Sequence, residues 1–220
     1  MMKSCLLIGA SGETGKEVLK CLLQEKTVSK VILISRRLLD ICDNIENKDV
    51  EQRVVDFDNL SGSNFSGSDA AICCLGTTRG KSGAEGFYKV DHDYVLKSAE
   101  LLKEQGCPEF HLLSSTGANE DSSFLFNKTK GEIERDVKAL GFERTSIYRP
   151  SVLICERQES RAFEFLAQSF LKFFDSKSLK YSIPTTLLAS VMVKNILEEQ
   201  KEGFELLTQN DIIERSKDMK

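Results

Sequence analysis

Cys5-Leu6-Leu7-Ile8-Gly9-Ala10-Ser11-Gly12-Glu13-Thr14-Gly15 is an apolar run broken by three glycines spaced three apart, and Val18, Leu19, Leu22 and Leu23 follow it at helical spacing. The pattern predicts a buried strand turning tightly into an amphipathic helix. Such a turn suits a phosphate: glycines let the backbone approach a pyrophosphate, and the unpaired N–H groups at the helix start attract it. The spacing is G-x-x-G-x-x-G rather than G-x-G-x-x-G, so context carries the weight. Val31-Ile32-Leu33-Ile34 supplies it, completing strand, helix, strand. A nucleotide-hydrolysing phosphate loop fits poorly, with Ala10 where its first glycine belongs and Glu17 where Mg²⁺ needs a hydroxyl. The expected ligand is a dinucleotide held by Gly9, Ser11, Gly12, Glu13, Thr14 and Gly15.

The end of the second strand selects the dinucleotide, and the residues there are Ser35-Arg36-Arg37. Guanidinium groups recognise phosphate through paired, permanently charged hydrogen bonds, where NAD would call for an acidic side chain. NADP(H) is therefore expected, with Arg36 and Arg37 on its 2′-phosphate. Arg53 to Phe57 reads as the third strand, ended by Asp56, and Asp69 to Leu75 as the fourth, running into Gly76-Thr77-Thr78. Asp56, Gly76 and Thr77 thus join the candidate cofactor contacts, although an ordinary strand-end turn remains an open reading of Gly76. Arg79 to Gly86, with three glycines, reads as a mobile lid.

Beyond it come a helix from Tyr94 to Leu102, a fifth strand Phe110 to Leu113 delivering Ser114, Ser115 and Thr116, and a helix carrying Phe126 and Lys130 that Gly141 ends. His111 alternates within an apolar strand and reads as a core histidine. Thr145 to Tyr148 forms strand six. Ser151 to Ile154 leads to the charged run Glu156 to Arg161, and Phe163, Leu166, Phe170, Phe173 and Phe174 make an aromatic stripe read as core, with a lid or partner surface left open. A helix near Leu187 to Leu197, a strand near Phe204 to Leu207 and a charged tail complete the chain.

The expected fold class is α/β: a Rossmann-type, doubly wound, mostly parallel sheet with helices on both faces. At 220 residues and 24.7 kDa it fits a single domain, with residues 1–150 as cofactor-binding core and 151–220 as a smaller substrate or lid region. A net charge of −4 and a pI near 5.4 give no footprint for nucleic acid. The seven cysteines contain no C-x-x-C pair and read as reduced core thiols; with two histidines besides, no metal site is expected. The amino terminus enters the first strand almost at once and no apolar run spans a bilayer, so the expected address is cytoplasmic, with a nuclear-envelope or nuclear fraction left open.

Gly9 to Gly15, Ser35-Arg36-Arg37, Val54 to Phe57, Cys73 to Ala84, Val95 to Leu101, Leu112 to Ser115, Lys130-Gly131-Glu132 and Arg149 to Arg161 together resemble the Tat-interactive protein group of atypical short-chain dehydrogenases/reductases. The resemblance implies NADP(H) bound by Ser11, Gly12, Glu13, Thr14, Arg36, Arg37, Leu75, Gly76 and Lys130, with Leu153 and Arg161 near the nicotinamide half. It also implies an oxidoreductase and regulator whose NADP(H)-bound form engages nuclear-import receptors of the karyopherin-β type and affects transport, transcription or apoptosis. Homo-oligomers stay open.

One departure matters most. Short-chain reductases place a tyrosine one helical turn before the lysine, and its hydroxyl protonates the carbonyl as hydride arrives. Here the pair is Phe126 and Lys130. A phenyl ring has no proton to give, and Phe126 otherwise reads as a buried core ring. Lys130 and Ser115, with Ser114 as the alternative, are then expected to keep a cofactor site whose reductase chemistry is weakened or lost, so that occupancy acts as a signal. The competing expectation is an active NADPH-dependent oxidoreductase on a carbonyl or quinone, its proton coming from Tyr88 or His92. A scaffold indifferent to dinucleotides is a third class.

Overall fold

In the computed structural model, residues 2–41, 48–155, 181–198 and 203–217 are described. Seven strands form one sheet: β1 (Lys3–Ile8), β2 (Val28–Ser35), β3 (Asp49–Val54), β4 (Ala70–Cys73), β5 (Glu109–Leu113), β6 (Arg144–Arg149) and β9 (Gly203–Thr208). Their order is β3-β2-β1-β4-β5-β6-β9 and each neighbouring pair is parallel. A second, two-stranded sheet pairs β7 (Val152–Ile154) with β8 (Ser182–Pro184). The α-helices among the described residues are α1 (Glu13–Gln24), α2 (Arg79–Tyr88), α3 (Tyr94–Glu104), α4 (Leu125–Ala139), α5 (Thr185–Leu197) and α6 (Gln209–Lys217).

Parallel strands need crossover helices, and strands covered on both faces read as continuous apolar runs rather than alternating ones. β1 shows why: Cys5 and Leu7 pack under α1 and α5, while Leu6 and Ile8 pack in the other core layer with Val95 and Leu102 of α3 and Ile133 and Val137 of α4. The Rossmann-type, doubly wound architecture is as expected.

Three local expectations fail. The third strand ends at Val54, because its register with β2 runs from Lys30↔Asp49 to Ser35↔Val54. Being an edge strand, it tolerates charge, and Lys30 pairs with Glu51 at 2.8 Å. The proposed lid at Arg79 to Gly86 is instead helical, broken only at Gly83 (φ 71°) and tied down by Phe87, which is buried. It continues through a π turn (Lys89–Asp93) into α3. The charged tail folds as α6, anchored by buried Ile212 and by Arg215 on Glu205 at 2.7 Å.

His111 is a core residue, with Nδ1 3.0 Å from the Tyr148 hydroxyl. It belongs to a buried polar network. Arg144 reaches Asn195 Oδ1 at 2.7 Å and Glu205 at 3.1 Å, and Lys3 pairs with Glu109 at 2.7 Å. Burial alone would raise both carboxylates, yet hydrogen bonds from Ser146 and Asn195 hold Glu205, and those from His111 and Lys3 hold Glu109, at about 2. A carboxylate depressed in the folded state stabilises above its unfolded pKa and loses that contribution as pH falls through the folded value. Stability is therefore expected to decline from about pH 4.5 towards about pH 2. Glu205→Gln should cost about 2 kcal/mol at neutral pH and flatten that decline, checked by denaturant unfolding across pH.

Candidate functional site at the carboxyl edge of the sheet

The strand order reverses between β1 and β4, the place where open α/β sheets hold ligands. The turns leaving those two strands touch. Gly9 has φ +88°, and a Cβ on it would fall 2.6 Å from the Cys74 carbonyl carbon. A Cβ on Gly15 would fall 2.1 Å from the Gly9 carbonyl oxygen, so α1 can seat on the turn only with glycine there. Gly12 differs. It is the exposed N-cap of α1, makes no side-chain cap, and a Cβ there would meet only the Gly9 oxygen at 3.4 Å. The outer glycines thus serve packing, while the middle one leaves uncapped helix N–H groups open to a ligand. Gly15→Ala is expected to destabilise the fold by about 2 kcal/mol or more, whereas Gly12→Ala should leave the melting temperature nearly unchanged. Thermal unfolding of the two variants checks this.

Ser11 is exposed beside Gly12, Thr14 is buried, and Glu13 lies 3.7 Å from Lys16. Arg36 and Arg37 are exposed at the end of β2, and neither is in an ion pair with a described residue. The Ser35 hydroxyl donates to the Arg37 carbonyl at 2.6 Å and fixes the bend that carries them. Asp56 is also exposed, but its carboxylate accepts from the Asp58 N–H and the Asn59 amide, both at 3.0 Å, closing the turn after β3.

Lys130 sits in the middle of the site and is only 7% exposed. Its ammonium lies 2.8 Å from Asp91 Oδ1, and Asp91, 2% exposed, also accepts the Thr77 N–H at 2.7 Å through Oδ2. A Cβ on Gly76 would stand 3.1 Å from Asp91 Oδ1, so Gly76 gives that carboxylate room. One turn earlier on both helices, Phe87 stacks on Phe126 at 5.8 Å. Two stripes at i, i+4 spacing therefore meet rung by rung, Phe87 on Phe126 and Asp91 on Lys130. Gly131 keeps α4 tight against the preceding loop, since a Cβ there would fall 2.1 Å from the Glu120 nitrogen. Phe126 is not the buried ring expected from sequence: it is 46% exposed, and among the described residues Phe87 is the one ring that stacks on it.

The two serines after β5 differ. Ser114 is buried and its hydroxyl donates to Glu134, whose carboxylate also receives Arg149 Nε at 3.0 Å. Ser115 is half-buried, with one long contact of 3.3 Å to the Thr116 carbonyl, leaving its hydroxyl the more available.

Tyr88 and His92 form a second ladder on another side of α4. Tyr88 stacks on His92 at 4.7 Å, and His92 is clamped between Asp93 at 2.9 Å and Asp136 at 3.0 Å. Burial and the neighbouring Glu132 carboxylate raise the Tyr88 phenol above its usual value. Glu132 and Asp136 sit about 200° and about 240° around α4 from Lys130, which turns both surrogate donors away from the lysine stripe. Leu153 is half-buried in β7. Arg161, the charged run before it and the aromatic stripe lie outside the described residues.

Asp91 escaped the sequence reading, as did the Glu134 pairing with Ser114 and Arg149. Only the matched i, i+4 spacing of 87/91 and 126/130 signalled the first, and it becomes legible once the two helices are known to be neighbours. Among the described residues no cluster of three metal-ligating side chains occurs, and no helix is long and apolar enough to cross a membrane.

No family model matches the chain. Protein HTATIP2 of Rattus norvegicus is 48% identical over 219 residues, covering 98% of this chain and 90% of that protein. The mitochondrial protein fmp52 of Aspergillus niger is 36% identical over 174 residues, covering 77% and 74%. Among solved structures, MoeE5 in complex with UDP-glucose and NAD superposes with a TM-score of 0.70 at 11% identity, covering 98% of this chain and 81% of that one. A putative NAD-dependent epimerase/dehydratase from Bacillus halodurans gives 0.69 at 17% identity, covering 94% and 92%. At such identities these structures show the fold. The fungal relatives, named as mitochondrial proteins, overturn the cytoplasmic address and its nuclear fraction. That address rested on a missing leader pattern, and a missing pattern specifies no compartment. With 48% identity to HTATIP2 over nearly the whole chain and a doubly wound parallel sheet, the chain belongs to the Tat-interactive protein (HTATIP2) family.

Proposed function

We propose that the chain is an NADP(H)-binding member of this family whose reductase chemistry is weakened or lost, and that cofactor occupancy serves as a regulatory signal. The observation that carries the proposal is Phe126, one turn before a buried Lys130, where a reductase needs a phenol. Bound NADPH offers a hydride, and the chain must add a proton. In this reading the uncapped turn Ser11 to Thr14, between Gly9 and Gly15, holds the pyrophosphate, Arg36 and Arg37 the 2′-phosphate, and Leu75, Gly76, Thr77 and Asp56 line the path along the strand ends. Lys130, Leu153 and Arg161 serve the nicotinamide half, and Ser115 is favoured over Ser114 for substrate contact because its hydroxyl is the freer.

The residues fit the cofactor on two counts. A side chain on Gly12 would meet only the Gly9 oxygen, at 3.4 Å, and would stand where a pyrophosphate approaches, and the two guanidiniums at the end of β2 are unpaired among the described residues. The regulatory half of the reading, with karyopherin-β-type import receptors as partners, rests on the family resemblance. Calorimetry with NADPH, NADP⁺, NADH and NAD⁺ tests the cofactor half. Binding of the phosphorylated pair at least about tenfold tighter than the other pair is expected; equal affinities would remove the role given to the arginines.

A further inference from the structure

We infer that Gln209 is a positioning residue of the site, its side-chain amide pinning the exit of β6 and the root of the β7–β8 sheet in one unit. The inference rests on the cofactor reading above, in which Leu153 serves the nicotinamide half and Ser115 the substrate. Gln209 Oε1 accepts the Ser151 N–H at 2.8 Å, and Nε2 donates to the Ser182 carbonyl at 3.2 Å. The two partners settle which way the amide points, because a peptide N–H only donates and a peptide carbonyl only accepts. Gln209 is 6% exposed, so water does not readily take over either bond. A neutral amide of this length supplies both a donor and an acceptor; methionine has no donor, and an ionised glutamate only accepts.

Ser151 lies on the crossover between β6, which ends at Arg149, and β7, which begins at Val152. The same crossover is held from the other side. The Thr116 N–H donates to the Pro150 carbonyl at 2.9 Å, and the Thr116 hydroxyl donates to the Arg149 carbonyl at 3.0 Å and lies 3.4 Å from the Ser151 hydroxyl. The Val152 N–H donates to the Tyr181 carbonyl at 3.2 Å, just before Ser182. The crossover is thus gripped by Thr116, which follows Ser115 after β5, and by Gln209, the first residue of α6. β7 and β8 pair in the register Val152↔Ser182 and Leu153↔Ile183, so one amide holds both strands at the end of their ladder. Ser115 precedes Thr116 and Leu153 follows Val152, so a shift of the crossover moves the Ser115 and Leu153 sides of the proposed site together. Gln209 is itself anchored. The Thr208 N–H donates to Asp211 Oδ2 at 2.8 Å in the first turn of α6, and Ile212 is buried in the core. Gln209 touches no reacting atom in this scheme; it acts through the Ser151 and Ser182 peptides and, beyond them, through Thr116.

The test compares NADPH with adenosine 2′,5′-bisphosphate, which keeps the 2′-phosphate and lacks the nicotinamide, by calorimetry on wild type, Gln209→Met and Gln209→Glu. Gln209→Met is expected to weaken NADPH binding about tenfold while the bisphosphate changes by less than about twofold. General loosening of the fold would weaken both ligands alike. Hydrogen exchange should show the Ser151 amide about tenfold faster in the variant, with the amides of β1 unchanged. Should Gln209→Met fail to fold, Gln209→Glu takes its place: an ionised carboxylate still accepts the Ser151 N–H but opposes the Ser182 carbonyl, and the same selective loss is expected. Wild-type NADPH affinity in the folded variant, or equal loss for both ligands, would overturn the inference. A wild type that binds neither ligand would sink the cofactor reading instead, and unchanged Ser151 exchange would then overturn the positioning role separately.

Discussion

Phe126→Tyr is expected to raise NADPH consumption with a reducible carbonyl by about 10² to 10⁴, the usual contribution of a positioned general acid. Phe126 is 46% exposed and stacks on Phe87 at 5.8 Å, so its ring is not enclosed in the core. Its neighbour one turn along is Lys130, already held by Asp91 at 2.8 Å. A gain that disappears when Lys130→Met is added would show that the two side chains act as a unit. The measurement is the steady-state loss of NADPH absorbance across a panel of aldehydes, ketones and quinones. No gain in any of them would leave the Phe126 account without support.

The second large effect concerns cofactor choice. Arg36→Ala/Arg37→Ala is expected to weaken NADPH binding roughly 10²-fold or more, because charge-assisted hydrogen bonds from two guanidiniums would be lost together. NADH binding should change little, since its adenosine ribose carries no phosphate there. The fold should be indifferent: both arginines are exposed at the end of β2 and pair with no described side chain. Equal loss for NADPH and NADH would point to a general electrostatic role. Titration of both cofactors at two salt concentrations separates the outcomes, because exposed charge pairs weaken with ionic strength.

Much of the fold was legible from local pattern. The apolar runs of β1 and β2 and the helical spacing of α1 mark a strand, helix, strand unit, because strands buried on both faces have no polar positions to interrupt them. β3 was harder. Asp49-Val50-Glu51-Gln52-Arg53-Val54 looks unlike a strand until its place at the sheet edge is known, where Lys30 and Arg53 can pair its carboxylates. The segment Arg79 to Gly86 misled for a different reason. Three glycines lower helix propensity, but buried Phe87 and the run into α3 supply tertiary packing that outweighs it.

The candidate site divides in the same way. Gly9, Gly12 and Gly15 lie within one short stretch of sequence, so their spacing alone suggested the turn, and the structure adds which two are sterically obligatory. Phe126 and Lys130 are one turn apart, so their pairing was also local. Asp91 was invisible because its partners, Thr77 and Lys130, lie 14 residues before and 39 after it in the numbering. Nothing in a single sequence pairs positions that far apart.

The most direct test of the account follows NADPH fluorescence on the wild-type chain at saturating protein, first alone and then with the carbonyl and quinone panel. The account predicts a stable change in fluorescence on binding and no decay beyond that of free NADPH when the panel is added. Steady decay dependent on a carbonyl or quinone would contradict it and show that a proton reaches the substrate without a tyrosine at position 126.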